Sequence, residues 1–250
     1  HTVVFLRHGE SIWNLENRYT GWCDVPLTRN GELEAEDTGQ LMRERGLIFD
    51  VAFTSNLQRA WKTCEIALKH AGMGHIPQIR SWKLNERHYG LLQGHTKDCE
   101  YLTRLFGEEQ ILRWRRSYTD TPPSLNDPLL RKKVNQLTLQ DSEKYLLPQY
   151  DPTRMLQEDS LKHLELPSID HCPSAESLKT CETRAYGYWK SVIKRTIKSG
   201  KRVLVVAHAN TIRSLVKVID SIPEDEVQHL RIPNGIPLVY VLDSDMQPVD

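Results

Sequence analysis

Two short apolar runs in the chain are each followed directly by a histidine. Residues 3–6 read VVFL and precede Arg7 and His8, and residues 203–207 read VLVVA and precede His208. Apolar runs of this length that are rich in β-branched residues predict buried strands. In open α/β sheets, ligands bind at the carboxyl ends of the strands. We therefore expect both imidazoles at one sheet edge, although a lone histidine after a strand is more often a solvated loop residue.

Strand and helix patterns alternate along the rest of the chain. Residues 50–54 (DVAFT) predict another strand, and Thr28 is a candidate N-cap of a helix that ends near Arg45 and Gly46. Ser55 and Asn56 are candidate caps of the next helix, which has apolar residues at helical spacing over 60–71. Further predicted elements are helices over 97–106, up to Arg116, over 177–200 and over 211–219, one that begins at Pro223, and a last strand over 237–242. This alternation is typical of an α/β fold with βαβ units.

Two segments are predicted to be irregular. The loop at 17–22 is polar, and its aromatic pair, Tyr19 and Trp22, is expected to be exposed. Residues 118–173 contain many prolines and little periodicity, which predicts an excursion over the sheet with a short helix at about 156–164. With 250 residues, the chain is expected to form one domain over 1–250 that includes this excursion.

The composition limits the classes of partner. Lys and Arg total 33, as do Asp and Glu, so no overall electrostatic field favours nucleic acid or a membrane surface. No apolar run reaches the roughly 18 residues of a membrane span. Five cysteines without Cys-x-x-Cys spacing favour a reducing, cytoplasmic compartment over a disulfide scaffold. The histidines show no metal-ligand spacing, so no metal is expected.

Several basic residues are predicted to lie near the two histidines. Arg59 follows the strand at 50–54 closely enough to share a crevice with Arg7, although a surface arginine is the alternative. Lys97 follows the loop 82–94, and Arg115 and Arg116 form either a pair suited to carboxylate and phosphate oxygens or a solvated basic face. That loop lacks periodicity and holds four successive reactive residues, as functional loops often do: Glu86, Arg87, His88 and Tyr89. The set is strongly cationic, so its substrate is expected to be an anion.

These residue types suit phosphoryl transfer through a covalent intermediate. Neutral imidazole is a competent nucleophile toward phosphorus, and His8 is the candidate because neighbouring guanidinium groups disfavour its protonation. Arg7, Arg59 and a protonated His208 are expected to neutralise the oxygens of the transferred group. Glu86 is the only acid in the loop cluster and is the candidate proton carrier. The chain has no glycine-rich nucleotide loop, which argues against a nucleotide-driven kinase.

Four segments together resemble the cofactor-dependent phosphoglycerate mutases of the histidine phosphatase superfamily. They are RHGES with Trp13 and Asn14, NRYTGW at 17–22, LNERHYG at 84–90 and WRRSY at 114–118. RHG alone marks the superfamily, whereas NERHYG and WRRSY are specific to the mutase branch. The similarity runs over residues 3–118 and 176–242. It implies a three-layer α/β/α fold with a mostly parallel central sheet.

The resemblance also implies roles for individual residues. His8 is expected to carry the phosphoryl group, Glu86 to donate and accept the proton, and His208 to stabilise the transferring group. The other residues expected at the catalytic or substrate-binding site are Arg7, Glu10, Ser11, Asn14, Thr20, Gly21, Arg59, Arg87, His88, Tyr89, Lys97, Arg115, Arg116, Ala209 and Asn210. The implied reaction is the interconversion of 3-phosphoglycerate and 2-phosphoglycerate in glycolysis and gluconeogenesis, primed by 2,3-bisphosphoglycerate, in a homodimer or homotetramer.

Other activities use the same residues. A bisphosphoglycerate synthase or a phosphomonoesterase would form the same phosphohistidine and differ in its acceptor, and exclusion of water favours the mutase. Ser11 also favours the mutase, since the synthase branch tends to have glycine there. A non-catalytic module that binds phosphorylated ligands is the third hypothesis, which the intact catalytic residues disfavour. Two departures from the family pattern are Ala209 in place of glycine and His95-Thr96 before Lys97.

Overall fold

The computed structural model describes residues 1–130 and 172–249, so the helix expected at 156–164 lies outside the described residues. Within them, five strands form one sheet in the order β3-β2-β4-β1-β5. The strands are β1 (Thr2–Arg7), β2 (Val51–Thr54), β3 (Gln78–Arg80), β4 (Val203–Ala207) and β5 (Leu238–Val241). Neighbouring strands run parallel except β5, which pairs with β1 antiparallel. The expected α/β fold with a mostly parallel sheet is confirmed.

Helices cover both faces of this sheet. The helices in the described ranges are α1 (Ile12–Leu15), α2 (Arg29–Glu44), α3 (Gln58–His70), α4 (Glu100–Phe106), α5 (Glu108–Arg116), α6 (Leu178–Tyr188), α7 (Lys194–Lys198) and α8 (Ala209–Ile219). A π-helical turn, Trp189–Ile193, joins α6 to α7, so the helix expected over 177–200 is continuous. No helix in the described ranges is long and apolar enough to cross a bilayer.

The alternation of side chains along β1 explains the layers. Successive residues of a strand point to opposite faces of the sheet. Val4 belongs to an apolar cluster with Met42 of α2 and residues of α3, whereas Phe5 packs against Trp189 in a cluster that includes Ile212 of α8. The sheet therefore separates α2 and α3 from α6, α7 and α8, and the expected three layers are observed.

The register of the two central strands brings both histidines to one edge. β1 and β4 pair in parallel with Arg7 opposite Ala207, so His8 and His208 each follow the last paired residue. The N–H of His8 continues the pairing and donates to the Ala207 carbonyl at 3.0 Å. The two imidazoles leave the sheet together at its carboxyl edge.

The start of α3 differs from the sequence expectation. Its N-cap is Leu57, which provides no side-chain hydrogen bond, so Ser55 and Asn56 are not the caps. The N–H of Gln58 instead donates to Asp24 at 2.6 Å. A carboxylate far along the chain thus satisfies the helix terminus, which local sequence patterns do not reveal. Ser55 Oγ accepts the N–H of Leu57 at 3.2 Å and also lies 2.7 Å from His208 Nε2.

Other element boundaries also differ. The helix expected from Lys97 begins at Glu100, and a single 3-10 turn, Val227–His229, follows Pro223 where a helix is expected. β3 is not predicted because it has three residues and two of them are polar. The last helix begins at Ala209 rather than at residue 211.

The prediction of an exposed aromatic pair in the loop at 17–22 is wrong. Tyr19 and Trp22 are each 1% exposed. The indole N–H of Trp22 donates to the Glu86 carbonyl at 2.5 Å, and its ring lies against Trp82. The loop at 17–22 therefore packs under the loop at 82–94 and supports it.

Candidate active site

The loop after β1 holds one ring nitrogen of His8 and leaves the other for chemistry. His8 is 3% exposed, and its Nδ1 lies 2.6 Å from the carbonyl oxygen of Gly9. Because a carbonyl only accepts hydrogen bonds, Nδ1 carries the proton and Nε2 keeps its lone pair. Burial, and then the charges of Arg59 and Arg7, hold the pKa of His8 well below its usual value. His8 is therefore a neutral imidazole in the form that a nucleophile requires.

His208 lies next to His8, with the ring centroids 5.0 Å apart. Its Nε2 is 2.7 Å from Ser55 Oγ, and its Nδ1 has no hydrogen-bond partner among the described residues. Burial, followed by the Arg59 charge, lowers the pKa of His208 well below its usual value, so the free site holds a neutral rather than a protonated ring. If the Ser55 hydroxyl donates to Nε2, Nδ1 bears the proton and can donate to an anion without an added charge.

Two arginines flank the histidines, the buried Arg59 and the partly buried Arg7. Arg59, in the first turn of α3, donates to the carbonyls of Cys23 and Gly21, each at 2.8 Å. Arg7 donates through Nη1 to the Ile232 carbonyl at 2.8 Å, and its Nε has no partner within the described part of the chain. These carbonyls orient the guanidinium groups without cancelling their charge. The two arginines suit the oxygens of a phosphoryl group.

Glu86 reaches the same place from the loop at 82–94. Its Oε1 accepts the N–H groups of Arg87 at 2.8 Å and Asn210 at 3.2 Å. Arg184 of α6 holds the loop, because it pairs with the buried Glu176 at 2.8 Å and also donates to a row of loop carbonyls. Those carbonyls belong to Trp82, Lys83, Asn85 and Glu86. The carboxylate of Glu86 is therefore placed by α6 and by the start of α8.

Arg7, His8, Arg59 and Glu86 line a cavity of about 230 Å³ at the carboxyl edge of the sheet. The expected residues that line it are Arg7, His8, Asn14, Thr20, Gly21, Arg59, Glu86, Tyr89, Lys97, Arg115, Arg116, Ala209 and Asn210. Glu86 supplies the only carboxylate among the described lining residues, against several cations. The described residues contain no group of three His, Cys, Asp or Glu that could hold a metal ion. The cavity suits a ligand with more than one negative charge.

Five expected residues do not line this cavity in the described structure: Glu10, Ser11, Arg87, His88 and His208. Ser11 acts on a neighbour instead, because its N–H and its Oγ both donate to Asn14 Oδ1, at 3.1 and 2.9 Å. This fixes the Asn14 amide with its Nδ2 left to donate. The Glu10 carboxylate accepts from the Thr28 hydroxyl at 2.8 Å, at the start of α2.

His88 and Arg87 support the walls of the site. His88 Nδ1 accepts the N–H of Gly90 at 2.9 Å, which shapes the loop. Arg87 donates to the Trp114 carbonyl at 3.0 Å and stacks 4.4 Å from the Tyr89 ring. It also lines a smaller adjoining cavity, which shares Arg115, Arg116, Asn210 and Arg213 with the main one. His208 belongs to the site through its contact with His8.

Three lining residues are not predicted from the sequence: Arg18, Tyr19 and Arg213. Helical spacing could have identified Arg213, which lies one turn after Asn210 on α8 and donates to its Oδ1 at 2.6 Å. Arg18 and Tyr19 belong to the loop at 17–22, from which only Thr20 and Gly21 are expected at the site. Burial raises the pKa of Tyr19 to about 12, so its hydroxyl stays protonated at neutral pH.

Comparison with known proteins gives the family. The chain matches the histidine phosphatase superfamily (branch 1) over residues 3–130 and 149–246. The structure is similar to YhfR of Bacillus stearothermophilus, with a TM-score of 0.67 at 20% identity over 99% of this chain and 94% of that one. The structure is also similar to a putative alpha-ribazole-5'-P phosphatase from Escherichia coli, with a TM-score of 0.65 at 17% identity over 98% of this chain and 92% of that one. For a phosphoglycerate mutase from Bacillus anthracis, the TM-score is 0.63 at 20% identity over 99% of this chain and 90% of that one.

At these identities the structural likeness shows the fold, whereas the family match shows the lineage. The match covers both apolar runs that end in histidine and the loop that carries Glu86. The chain belongs to the histidine phosphatase superfamily, branch 1.

Proposed function

We propose that the protein transfers phosphoryl groups through a phosphohistidine at His8. The observation that carries the proposal is the 2.6 Å contact of His8 Nδ1 with the Gly9 carbonyl, from which we infer that Nε2 keeps its lone pair in a cationic cavity. A covalent intermediate replaces one difficult transfer by two easier ones. The membership of the chain in the histidine phosphatase superfamily supports this chemistry.

In the first half-reaction, Nε2 of His8 attacks the phosphorus of the donor and the bond from phosphorus to the donor oxygen breaks. The leaving oxygen takes a proton from the carboxylic acid of Glu86. Arg7, Arg59 and the Nδ1–H of His208 stabilise the negative charge on the oxygens of the group in transfer. In the second half-reaction, the Glu86 carboxylate removes the proton from an acceptor hydroxyl, which attacks phosphorus and releases His8.

Lys97, Arg115 and Arg116 are cations of the cavity in addition to Arg7 and Arg59, which supports a substrate with two anionic groups. Lys97, Arg115 and Arg116 line the cavity together with Thr20 and the pair Arg7 and Arg59. A phosphoglycerate carries a phosphate and a carboxylate a few bonds apart. One anion can lie beside His8 while the other binds the Lys97 and Arg115 region, where paired arginines match planar oxygens.

We therefore propose the interconversion of 3-phosphoglycerate and 2-phosphoglycerate, with 2,3-bisphosphoglycerate as the priming phosphoryl donor. The NERHYG and WRRSY segments of the mutase branch support this substrate. The similarity to the Bacillus anthracis phosphoglycerate mutase is consistent with it. The reaction requires that the phosphohistidine meets a phosphoglycerate hydroxyl before it meets water.

A phosphomonoesterase is the second candidate function, because water can replace the hydroxyl as acceptor. The observation in its favour is the similarity of the structure to a phosphoserine phosphatase of Entamoeba histolytica in complex with 3-phosphoglyceric acid. The TM-score is 0.61 at 17% identity, over 99% of this chain and 93% of that one. The two functions share the first half-reaction and differ in the second.

A label and chase experiment separates the two candidates. The protein is incubated with 32P-labelled 2,3-bisphosphoglycerate, separated from free donor, and then mixed with 3-phosphoglycerate or with buffer alone. We expect discharge by 3-phosphoglycerate to exceed discharge by water at least tenfold. Equal rates would support the phosphomonoesterase, and a protein that takes up no label would rule out both.

The same experiment tests the role of Glu86. We expect Glu86→Gln to accept label slowly and to transfer it poorly, since the amide cannot exchange the proton. Glu32→Gln is the matched control, because Glu32 is on the surface of α2 in an exposed pair with Arg29. Labelling and transfer by Glu86→Gln at the rate of the control would contradict the proton-transfer role.

A further inference from the structure

The peptide group between Gly9 and Glu10 is held at both of its polar atoms. Its carbonyl oxygen accepts from His8 Nδ1, and its N–H donates to Glu34 Oε2 of α2 at 2.8 Å. His8, this peptide and the Glu34 carboxylate thus form one continuous chain of hydrogen bonds. Bonds in such a chain strengthen one another because each polarises the next.

The loop that contains this peptide is fixed independently of Glu34. A side chain at Gly9 would overlap the carbonyl oxygen of Gly31, so the loop backbone lies directly on the first turn of α2. The N–H of Gly9 donates to Thr63 Oγ1 of α3 at 3.1 Å, and that hydroxyl donates to the Arg59 carbonyl at 2.7 Å. Removal of the Glu34 carboxylate is therefore expected to change the peptide's hydrogen bonding more than the position of the loop.

We propose that Glu34 is a positioning residue for phosphoryl transfer and acts on His8 through the 9–10 peptide. Its carboxylate orients the peptide and makes the Gly9 carbonyl a stronger acceptor, so the proton stays on Nδ1 and the lone pair on Nε2. Glu34 is not among the described residues that line the His8 cavity, and its Oε2 accepts the N–H of the 9–10 peptide. The inference rests on the proposed function only for the consequence that this tautomer is the reactive one.

The tautomer can be measured directly in the protein without substrate. Long-range 1H–15N correlation spectra of 15N-histidine-labelled protein distinguish Nδ1–H from Nε2–H. We expect wild type and Glu34→Gln, which keeps an acceptor oxygen, to show Nδ1–H at His8, and Glu34→Ala to show a substantial Nε2–H population. Glu32→Ala on the same helix is the control. An Nδ1–H tautomer in Glu34→Ala as complete as in wild type would overturn the proposal.

The rate of phosphoenzyme formation provides a second readout. We expect the single-turnover rate constant with 32P-labelled 2,3-bisphosphoglycerate to fall about tenfold in Glu34→Ala, as for loss of a hydrogen bond to a charged group. The donor concentration at half-maximal rate should change less than twofold, and Glu34→Gln should recover most of the rate. An unchanged rate constant in Glu34→Ala would overturn the inference. Absence of labelling in wild type would instead contradict the phosphohistidine, and the tautomer measurement would still decide on Glu34.

Discussion

At the scale of single residues, the chemistry depends on which ring nitrogens carry protons. The Gly9 carbonyl fixes the proton of His8 on Nδ1, and burial next to Arg59 keeps the ring neutral. His208 is also neutral in the free site, so its Nδ1–H rather than an imidazolium charge is available to a phosphoryl oxygen. Both histidines are therefore poised by hydrogen bonds and burial before any ligand binds.

The neutral state of His8 predicts that mild acid does not slow phosphoenzyme formation. An imidazole with the ordinary pKa of about 6.5 is only about one-quarter neutral at pH 6. Because the pKa of His8 lies well below that value, and the acid form of Glu86 is not depleted as the pH falls, we expect no decrease in the single-turnover labelling rate at saturating donor from pH 8 to pH 6. A threefold or larger decrease over this range, with an apparent pKa near 6.5, would show that His8 titrates as an ordinary histidine.

The sequence was a good guide to reactive residues and a poorer guide to their partners. His8, Arg7 and Glu86 could be identified because residue type and place after a strand or in a loop restrict their chemistry. The neutral state of His208 could not be predicted from the sequence, since it depends on burial of the ring and on the charge of Arg59. The role of Ser11 could not be predicted either, because its contact with Asn14 depends on the capping geometry of α1.

At the scale of elements, α6 organises the loop that carries Glu86. Arg184 and Glu176 form an ion pair with side chains 7% and 4% exposed, and Arg184 also satisfies carbonyls of the loop. Glu176 Oε2, which pairs with Arg184 Nη2, also accepts the N–H of His88 at 2.9 Å. One buried guanidinium thus joins α6 to the loop at 82–94.

Replacement of Arg184 is expected to destabilise the fold and displace the loop. Arg184→Met leaves the Glu176 carboxylate buried without its counter-charge, which costs about 3–5 kcal/mol in the free energy of unfolding. The measurement is chemical denaturation. Arg202→Met is the control, because Arg202 pairs with Asp50 on the surface, where water screens the charges and the loss of stability is expected to be much smaller. Equal losses in the two variants would contradict a structural role for the buried pair.

The cap of α3 and the strand β3 differ from the sequence prediction for the same reason. Propensity and periodicity identified the long helices and the central strands, which bury continuous apolar faces. The first turn of α3 was assigned the wrong cap because Asp24, distant in sequence, accepts the N–H of Gln58. β3 was missed because it is stabilised by pairing with β2 rather than by its own pattern. Contacts between distant segments decided each of these cases.

At the scale of the whole molecule, the equal numbers of acidic and basic residues conceal a strongly uneven distribution of charge. Residues from Arg7 to Arg213 converge on one cationic cavity, although the formal net charge is zero. The convergence also buries histidines as neutral rings. Burial lowers the pKa of His88 and of His95 to about 4, and lowers those of His8 and His208 further below the usual value.

These buried histidines predict a loss of stability in mild acid. Below about pH 6.5, the unfolded chain binds protons at these residues and the folded protein does not, so the free energy of unfolding falls as the pH falls toward 4. At pH 5, His88 alone is expected to contribute a loss of about 2 kcal/mol relative to neutral pH. The measurement is the urea midpoint at pH 7.5 and pH 5.

His88→Gln tests the origin of this acid sensitivity. It should reduce the dependence of the urea midpoint on pH, whereas the same substitution at the exposed His75 should leave it unchanged. A wild-type midpoint that is equal at pH 7.5 and pH 5 would contradict the neutral burial of these rings.

The central claim is that His8 carries the phosphoryl group, and the site of the covalent label tests it most directly. After incubation with 32P-labelled 2,3-bisphosphoglycerate, peptide mapping by mass spectrometry locates the acid-labile phosphate. We expect it on His8 alone, with no label in His8→Ala and normal labelling in the surface variant His229→Ala. Full labelling of His8→Ala, or phosphate on a different residue of the wild-type protein, would contradict the claim.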